Sequence, residues 1–453
     1  MKEYDVIVIG AGEGLGIAFR AQSAGLRVAL VDKGRLGGTC LNVGCIPSKI
    51  LIHTADVITS IQEAAKFGIH ADITRIDFGA IMQRMRKNVD QGRGYITAAI
   101  KESENLDFYN AEAWFTGDYT LEIAGEQIRG EKIFIVSGSR PAVPPIKGLG
   151  NINYINNVTV LNLKRRPESL IILGGGYIAV EYGHFFSAMG TRVTILQHNK
   201  RLIPSEEPEI SDLLMKELGK RLEVWTGVDI VEVARAGAGH TVHMKKIDSG
   251  DAKEFVAEAV MVATGRMSNA DLLHVENTGV ETSTSNYIKV DDYLMTTKEN
   301  IWAYGDAIGR QMFTHAGDKE MGIAWHNANN DDKIRMDFDI VPHAVYTHPQ
   351  VASIGFTEER ARKDHNILVG KAHYSDVAKG MAMMEENCVA KAIVNKDTRT
   401  VLGFHIIGPE ASILIQEVAN AIASKMPVES ITGSMHIFPA LSEIITETFN
   451  NLE

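Results

Sequence analysis

The sequence predicts an α/β protein with two doubly wound units, followed by an α+β domain. An apolar, β-branched run ends in a glycine-rich turn, a helical stretch and a second apolar run within residues 5–33, and the same order returns within 170–198. This repeated order is typical of β-α-β units in doubly wound sheets. From Pro342 the pattern changes to alternating strands mixed with helices, which predicts a separate C-terminal domain.

The chain is long enough for several domains, and its composition is that of a globular protein. It has 453 residues, of which 45% are hydrophobic and 23% are charged. At about 100–200 residues per domain, this length predicts two to four domains. We place the first doubly wound unit at residues 1–150 and 270–340, the second at 151–269, and the C-terminal domain at 341–453.

Charge and cysteine content exclude several classes of protein. The chain has 46 Lys and Arg against 57 Asp and Glu, a formal net charge of −11, which does not favour general attraction to nucleic acid or anionic lipid. No apolar stretch approaches the roughly 20 residues of a spanning helix, so we expect neither a nucleic acid nor a membrane as partner. The 3 Cys exclude a secreted disulfide framework, and the N-terminus runs into a strand without a signal-peptide pattern. We therefore expect a cytoplasmic protein.

The first glycine-rich turn has the spacing of a dinucleotide-binding site. It runs from Gly10 to Gly16 directly after the first strand, and Asp32 ends the next strand. Gly10 permits a tight turn, Gly12 lets backbone N–H groups approach a pyrophosphate, and Asp32 can accept hydrogen bonds from an adenosine ribose. Leu15 stands at the sixth position of the G-x-G-x-x-G pattern, where a small residue is usual. The alternative is a turn that binds no phosphate.

The second turn predicts a site for a pyridine nucleotide. Gly174 and Gly176 lie in this turn, and Tyr177 follows them. No acid ends the next strand, where a carboxylate would bind the free ribose 2′-hydroxyl of NAD. The strand ends instead in hydrogen-bond donors and cations, which are Gln197, His198, Lys200 and Arg201. These groups can pair with a 2′-phosphate, so we expect NADPH to be preferred over NADH. The alternative is a solvated loop of charges.

Two cysteines form the sharpest signal. Cys40 and Cys45 lie in the segment GGTCLNVGCIPSK, directly after the first β-α-β unit. On a straight helix, residues five apart are separated by about 7.5 Å, which exceeds the ~4.4–6.8 Å between the Cα atoms of a disulfide. A disulfide between Cys40 and Cys45 therefore needs a distorted turn and would be readily reduced. We interpret the pair as a catalytic dithiol. The alternatives are inert thiols or a metal pair, although nearby residues supply too few further ligands for a metal. Cys388 stands alone and is interpreted as an inert core residue.

At this point the chain resembles the flavoprotein disulfide reductases over nearly its whole length. Five motifs occur in the family's order, which are GGTCLNVGCIPSK, GGGYIAVEYG, VATGR, IWAYGDA and PHAVYTHPQVASIGFTE. The resemblance implies a homodimer. In each subunit, residues 1–150 with 270–340 would bind FAD, residues 151–269 would bind NAD(P)H, and residues 341–453 would form the dimerisation domain.

The resemblance also implies roles for the residues around the cysteine pair. Cys45 would be the charge-transfer thiol against the flavin, and Cys40 would be the interchange thiol that attacks the substrate. Lys49 would lie near the flavin N5 and pair with Glu181. Tyr177 would cover the nicotinamide pocket.

Further residues would bind the two ends of FAD. Asp32 would bind the adenosine end, and Asp306 would meet the ribityl chain. Gly138 and Gly265 follow apolar strands, and the resemblance places both among the cofactor-binding residues.

The chain departs from the family near its C-terminus. The family commonly carries a His-Pro-x-x-x-Glu element whose His protonates the leaving thiolate and whose Glu orients that His. Here Phe438 precedes Pro439, while Glu443 is kept. Phe cannot exchange a proton, and a missing acid-base group costs about 100- to 10,000-fold in such a step. In an extended segment His436 would point to the same side as Phe438 and could replace the missing His, or it could be a structural residue.

The leading functional hypothesis is therefore an enzyme that passes electrons from NAD(P)H through FAD to the Cys40–Cys45 disulfide and on to a small disulfide or related acceptor, as in dihydrolipoyl dehydrogenase. Mercuric reductase resembles the chain in having Phe-Pro at this point, although its C-terminal Cys pair is absent here. The 2-ketopropyl coenzyme M carboxylase also replaces the His by Phe, but it lacks the CIPSK run. A non-enzymatic redox sensor is the alternative from another class.

Overall fold

The computed structural model describes residues 1–453. The chain divides into two compact units. The first unit contains residues 1–48, 83–142 and 265–338, and the second contains 49–82, 143–264 and 339–453. The three-domain boundaries derived from the sequence stay a prediction.

Twelve α-helices are present, and they occur in both units. In chain order they are α1 (Gly14–Ser23), α2 (Gly38–Val43), α3 (Cys45–Gln62), α4 (Phe78–Lys101), α5 (Tyr177–Ala188), α6 (Pro208–Leu218), α7 (Thr314–Asn329), α8 (Glu358–Asp364), α9 (Ala378–Ala382), α10 (Ala411–Ala423), α11 (Glu429–Thr432) and α12 (Glu443–Asn450).

The strands are mostly short. In chain order they are β1 (Lys2–Ile9), β2 (Val28–Val31), β3 (Leu106–Tyr109), β4 (Ala113–Gly117), β5 (Thr120–Ile123), β6 (Glu126–Ile135), β7 (Ser139–Pro141), β8 (Ser169–Leu173), β9 (Arg192–Gln197), β10 (Glu223–Thr226), β11 (Val228–Ala236), β12 (Gly239–Lys246), β13 (Ala252–Ala257), β14 (Ala259–Val262), β15 (Arg266–Ser268), β16 (Ile301–Ala303), β17 (His343–Val345), β18 (Gln350–Gly355), β19 (Ile367–His373), β20 (Val389–Asn395) and β21 (Val401–Gly408).

The first unit is built on a seven-stranded sheet. Its central strand β1 lies parallel to β2 on one side and to β6 on the other, and β16 pairs with β6. The last four residues of β1 are all buried, which is why the strand ends in a continuous apolar run rather than an alternating one. The first glycine-rich turn connects β1 to α1, so the predicted β-α-β order is present.

The second unit contains the repeat of this order. Its parallel sheet has the strand order β10-β9-β8-β14, and α5 connects β8 to β9. A separate antiparallel sheet consists of β11, β12 and β13. The second nucleotide turn, residues 174–176, therefore lies between β8 and α5, as the sequence predicts.

The C-terminal part of the second unit is an α+β layer. Five antiparallel strands have the order β17-β18-β21-β20-β19, and α10 and α12 contribute to the same hydrophobic core. Buried apolar residues recur on α10 at Leu414, Ile415 and Val418, the spacing of one helix face. The predicted fold class, two doubly wound domains plus a C-terminal α+β domain, is confirmed in its α/β and α+β parts.

One charged group is buried inside this second unit. Lys391 lies in β20, its side chain is 4% exposed, and its ammonium group is 2.7 Å from carboxylate oxygens of Glu207, Glu209 and Glu358. Burial alone would lower the pKa of Lys391, but the three carboxylates outweigh burial and raise it.

None of the helices is long and apolar enough to cross a membrane.

Candidate active site and nucleotide-binding regions

The first glycine-rich turn has room for a phosphate but not for side chains. Gly10 has φ +117°, and a Cβ there would lie 2.0 Å from the carbonyl oxygen of Val136. A Cβ on Gly38 would lie 2.6 Å from the Cα of Gly12. No side chain caps the N-terminus of α1, but the N–H groups of Leu15 and Gly16 donate to the carbonyl oxygens of Gly12 and Glu13. An anion at this helix start would therefore be bound by the backbone N–H groups that precede Leu15. The turn fits the pyrophosphate of FAD.

Asp32 directly follows the strand β2, as the sequence predicts. Its two carboxylate oxygens accept hydrogen bonds from the backbone N–H groups of Ala11 and Gly34, each at 2.6 Å. These bonds fix the carboxylate next to the turn. An adenosine ribose could use its remaining acceptor capacity, because a carboxylate has about four lone-pair sites.

Asp306 lies in a second polar group of the same unit. The Asp306 carboxylate accepts from the Ser139 hydroxyl at 2.5 Å and from the Arg266 Nε at 3.3 Å. Gly138 and Gly265 have φ values of +67° and +123°, which allow the chain to turn sharply beside Ser139 and Arg266. Sequence reasoning found Asp306 and the two glycines but missed Ser139 and Arg266, because a single Ser and a single Arg carry no spacing signal.

Two buried carboxyl groups complete this region. Glu320 accepts from the backbone N–H of Gly305 at 2.6 Å, while its other oxygen is buried and has no hydrogen-bond partner. An orphaned buried oxygen is expected where a polar cofactor supplies the missing donor, so this feature also fits FAD. Glu13 lies inside the glycine-rich turn, and its pKa is raised to about 8 by burial first and then by the negative charges of Asp306, Asp318 and Glu320. The sequence analysis assigned no role to Glu13 or Glu320.

The distorted turn predicted between the two cysteines is present. Cys40 lies in α2, Cys45 begins α3, and Gly44 separates the two helices with φ −131° and ψ −115°. A Cβ on Gly44 would lie 2.9 Å from the carbonyl oxygen of Thr39, so the close return of the chain depends on this glycine. Neither cysteine is disulfide-bonded, so the structure describes the reduced pair.

The two thiols interact with each other. A hydrogen bond to Cys45 is the main reason why the pKa of Cys40 is raised, and burial adds to it. The Cys45 sulfur also lies 3.6 Å from the hydroxyl of Thr314, at the start of α7. Cys40 therefore keeps its proton to a higher pH than a free thiol does. Cys388 belongs to the second unit, where it is 3% exposed and lies beside Glu385.

Lys49 and Glu181 form an ion pair in the second unit. The Lys49 ammonium group is 2.8 Å from both carboxylate oxygens of Glu181, whose side chain is 8% exposed. The backbone N–H of Tyr346 donates to the same carboxylate at 3.0 Å, and the Lys49 ammonium lies 4.7 Å from the centre of the Tyr346 ring. These contacts fix the orientation of the Lys49 side chain, which projects from α3, the helix that begins at Cys45.

The second nucleotide turn has the backbone that its glycines predict. Gly174 has φ +108°, and a Cβ there would lie 2.3 Å from the carbonyl oxygen of Ala263. Gly176 precedes α5 without a capping side chain, and Tyr177 is the first residue of that helix. The Tyr177 hydroxyl contacts Ser205 at 3.0 Å and Glu206 at 2.9 Å. Sequence reasoning gave no role to Glu206.

The donors and cations at the end of β9 are less available than the sequence suggests. Gln197 is 6% exposed and donates to the carbonyl oxygen of Arg201 at 3.3 Å. Each of the other three residues has a carboxylate partner, and these pairs are His198–Asp229 at 2.7 Å, Lys200–Asp248 at 3.8 Å and Arg201–Asp212 at 2.8 Å. The local positive charge is therefore partly neutralised, and the roles of these residues in nucleotide binding stay predictions.

The C-terminal element is not the extended segment that the alternation argument assumed. Residues 436–438 form no regular strand, so alternation does not decide whether His436 and Phe438 share a side. Phe438 is 74% exposed, whereas the His436 Nε2 lies 2.8 Å from Glu417. Whether His436 replaces the missing His stays a prediction. Glu443 begins α12 and accepts from the backbone N–H of Ala440 at 3.0 Å. His436 is thus fixed within its own subunit.

Comparisons with known proteins agree with this description. The family model "Pyridine nucleotide-disulphide oxidoreductase" matches residues 4–328, and its dimerisation domain matches residues 341–449. The chain is similar to mycothione reductase from Mycobacterium tuberculosis, at 33% identity over 98% of both chains. It is also similar to mercuric reductase from Staphylococcus aureus, at 30% identity over 97% of this chain and 81% of the other.

A solved structure gives the same result for the fold. The Cu(II) complex of the HOCl-induced flavoprotein disulfide reductase RclA from Escherichia coli superposes with a TM-score of 0.88, at 29% identity and with 99% of each chain covered. The chain belongs to the pyridine nucleotide-disulphide oxidoreductase family. It is an oxidoreductase of the flavoprotein disulfide reductase type, and the family's use of FAD and a pyridine nucleotide applies to it. The dimerisation-domain match supports a homodimer.

Proposed function

We propose that the protein uses NADPH to reduce a small disulfide or a related electrophilic acceptor through the Cys40–Cys45 pair. The observation that carries the proposal is this pair itself, two thiols in hydrogen-bonding contact at a helix break. The residues named below would hold FAD, which would supply the chemistry that connects hydride transfer from the nicotinamide to two-electron reduction of the disulfide. A homodimer in the cytoplasm is the proposed setting.

The roles proposed for the individual residues rest on the resemblance to the family. The residues proposed to hold FAD are Gly10, Gly12, Asp32, Gly138, Gly265 and Asp306. Lys49, fixed by Glu181, is proposed to lie near the flavin N5, and Tyr177 is proposed to cover the nicotinamide pocket.

The thiols carry the group-transfer step. Cys40 first gives up its proton, and the resulting thiolate attacks one sulfur of the acceptor, which forms a mixed disulfide and releases the first thiolate. Cys45 then attacks the Cys40 sulfur, which closes the internal disulfide and releases the second thiolate. Each leaving thiolate takes up one proton.

Anaerobic titration tests this function. We expect one equivalent of NADPH to bleach the flavin or reduce the disulfide of the purified protein, and a second addition of lipoamide, glutathione disulfide or another disulfide to restore the oxidised spectrum. A protein that binds no flavin after addition of FAD would contradict the proposal. Reoxidation by Hg(II) but by no disulfide would favour a mercuric-reductase-like acceptor, which needs no proton donor at Phe438. Reduction without reoxidation by any acceptor would favour a redox sensor.

The choice of nucleotide is a separate prediction. We expect kcat/KM for NADPH to exceed that for NADH by about tenfold, the size of one charge-assisted hydrogen bond. The preference should be incomplete, because Asp212, Asp229 and Asp248 partly neutralise the cations. Lys200→Ala should reduce the ratio, whereas Lys216→Ala, which removes an exposed lysine in α6 whose ammonium group contacts Asn387, should not. Equal kcat/KM values for both nucleotides in the wild type would contradict the assignment.

A further inference from the structure

A buried carboxylate lies directly behind the second nucleotide turn. Glu206 precedes α6, and its side chain has no exposed surface. One carboxylate oxygen accepts from the Tyr177 hydroxyl at 2.9 Å and from the His343 Nε2 at 2.7 Å, and the other accepts from the Ser353 hydroxyl at 2.6 Å. Three donors from three different elements therefore converge on one carboxylate.

The charge state of this group is fixed by its partners. Burial alone would raise the pKa of Glu206, but the charge and hydrogen bond of His343, together with the Ser353 hydroxyl, outweigh burial and lower it to about 2. Burial alone would likewise lower the pKa of His343, but the hydrogen bond to Glu206 raises it. Glu206 is therefore a permanent anion at neutral pH, and a phenol O–H bonded to an anion makes a stronger hydrogen bond than one bonded to a neutral acceptor.

The Tyr177 ring is held by more than its hydroxyl. The ring centre lies 5.9 Å from that of His343, with the planes tilted by 30°. The Ser205 hydroxyl makes a further contact with the phenol oxygen at 3.0 Å. Tyr177 is the first residue of α5, directly after the glycine-rich turn, so these contacts with Glu206, Ser205 and His343 hold its ring next to that turn.

We propose that Glu206 is a positioning residue that tethers Tyr177 across the nicotinamide pocket, so that nucleotide binding has to break the Tyr177–Glu206 hydrogen bond. This inference rests on the proposed function, which places the nicotinamide at Tyr177. The free energy of the tether is subtracted from the free energy of nucleotide binding. Removing the tether should therefore tighten nucleotide binding.

The test compares single and double variants. Dissociation constants of NADP⁺ and NAD⁺ are measured by titration calorimetry on the FAD-loaded enzyme. Tyr177→Phe removes only the hydroxyl, and we expect it to lower the dissociation constant by up to about tenfold, the worth of a hydrogen bond to a charged group. Glu206→Gln keeps the shape of the acceptor but removes its charge, so it should have a smaller effect in the same direction. The double variant should bind no more tightly than Tyr177→Phe alone, because both changes act on one bond.

The neighbouring residue offers a matched control. Glu207 is also a buried carboxylate of the same loop, but it contacts Lys391 at 2.7 Å and not Tyr177. Glu207→Gln should leave both dissociation constants unchanged, since Lys391 keeps Glu209 and Glu358 as partners. Tyr177→Phe requires no refolding of the site, so the test does not depend on the stability of Glu206 variants.

The outcomes separate the inference from the proposed function. Unchanged or weaker nucleotide binding by Tyr177→Phe, or independent effects that multiply in the double variant, would overturn the tether. A tightening by Glu207→Gln equal to that by Glu206→Gln would overturn it as well, because the effect would then follow from the loss of any buried charge. A wild-type enzyme that binds neither nucleotide would instead refute the proposed function.

Discussion

Cys40→Ser and Cys45→Ser are each expected to reduce disulfide turnover by about 10⁴- to 10⁶-fold, the usual cost of losing a nucleophile that acts as part of a unit. A serine hydroxyl is too weak a nucleophile to form the mixed disulfide, and one remaining thiol cannot close the internal disulfide. Cys388→Ser is the matched control, because this third cysteine is buried beside Glu385 and far from the pair in sequence. Steady-state rates with a fixed disulfide acceptor give the comparison.

The two serine variants should differ from each other. The hydrogen bond with Cys45 raises the pKa of Cys40, and the resemblance to the family assigns the charge-transfer thiolate to Cys45. Cys40→Ser should therefore keep a thiolate at Cys45 and a long-wavelength absorbance band in the FAD-loaded enzyme, whereas Cys45→Ser should lose that band. If the band disappears in Cys40→Ser and persists in Cys45→Ser, the proposed roles are reversed. If neither serine variant slows disulfide turnover, the dithiol is not the site of substrate reduction.

Backbone features of both nucleotide turns could be predicted because each depends on a local pattern. A tight turn requires a residue that tolerates a positive φ angle, and Gly10 and Gly174 both have a positive φ. The spacing of Cys40 and Cys45 predicted a distorted turn if the two form a disulfide, since a continuous helix would hold their Cα atoms too far apart, and the structure has a helix break at Gly44 between them. The turns and the helix break depend on local covalent geometry, which is why a sequence pattern can predict them.

Side-chain partners that are distant in sequence could not be predicted in the same way. Glu206 meets Tyr177 and His343, which lie 29 and 137 positions away, and none of the three stands in a motif with the others. The hydrogen bond of His436 likewise depends on Glu417, on a different helix. The alternation rule that placed His436 beside Phe438 holds only for a regular strand, and this segment is not one. Tertiary contacts decided these cases.

Phe438→His is expected to raise disulfide turnover by about 100- to 10,000-fold if the missing proton donor limits the wild-type enzyme. The position is suited to the change, because Phe438 is 74% exposed in its own subunit and an imidazole there would leave the core of that subunit intact. Glu443 accepts one backbone hydrogen bond, from Ala440, and has a second carboxylate oxygen with which it could orient an imidazole. Flavin reduction by NADPH should change little, since it precedes the step in which the leaving thiolate is protonated.

His436→Ala is the comparison that decides between the two histidine positions. Since His436 is bound to Glu417 within its own subunit, its loss should leave disulfide turnover within a few-fold of wild type. The decisive measurement is the rate of disulfide reduction between pH 6 and 9 for the wild type and both variants. Only Phe438→His should gain a pH dependence with a midpoint near that of an imidazole, at about 6.5, because only that variant adds a titrating acid to the leaving-group step. A wild type that already turns over disulfides rapidly, and loses this activity in His436→Ala, would make His436 the proton donor. No change in either variant would mean that proton transfer to a thiolate is not part of the reaction, and an acceptor such as a metal ion would then replace the disulfide.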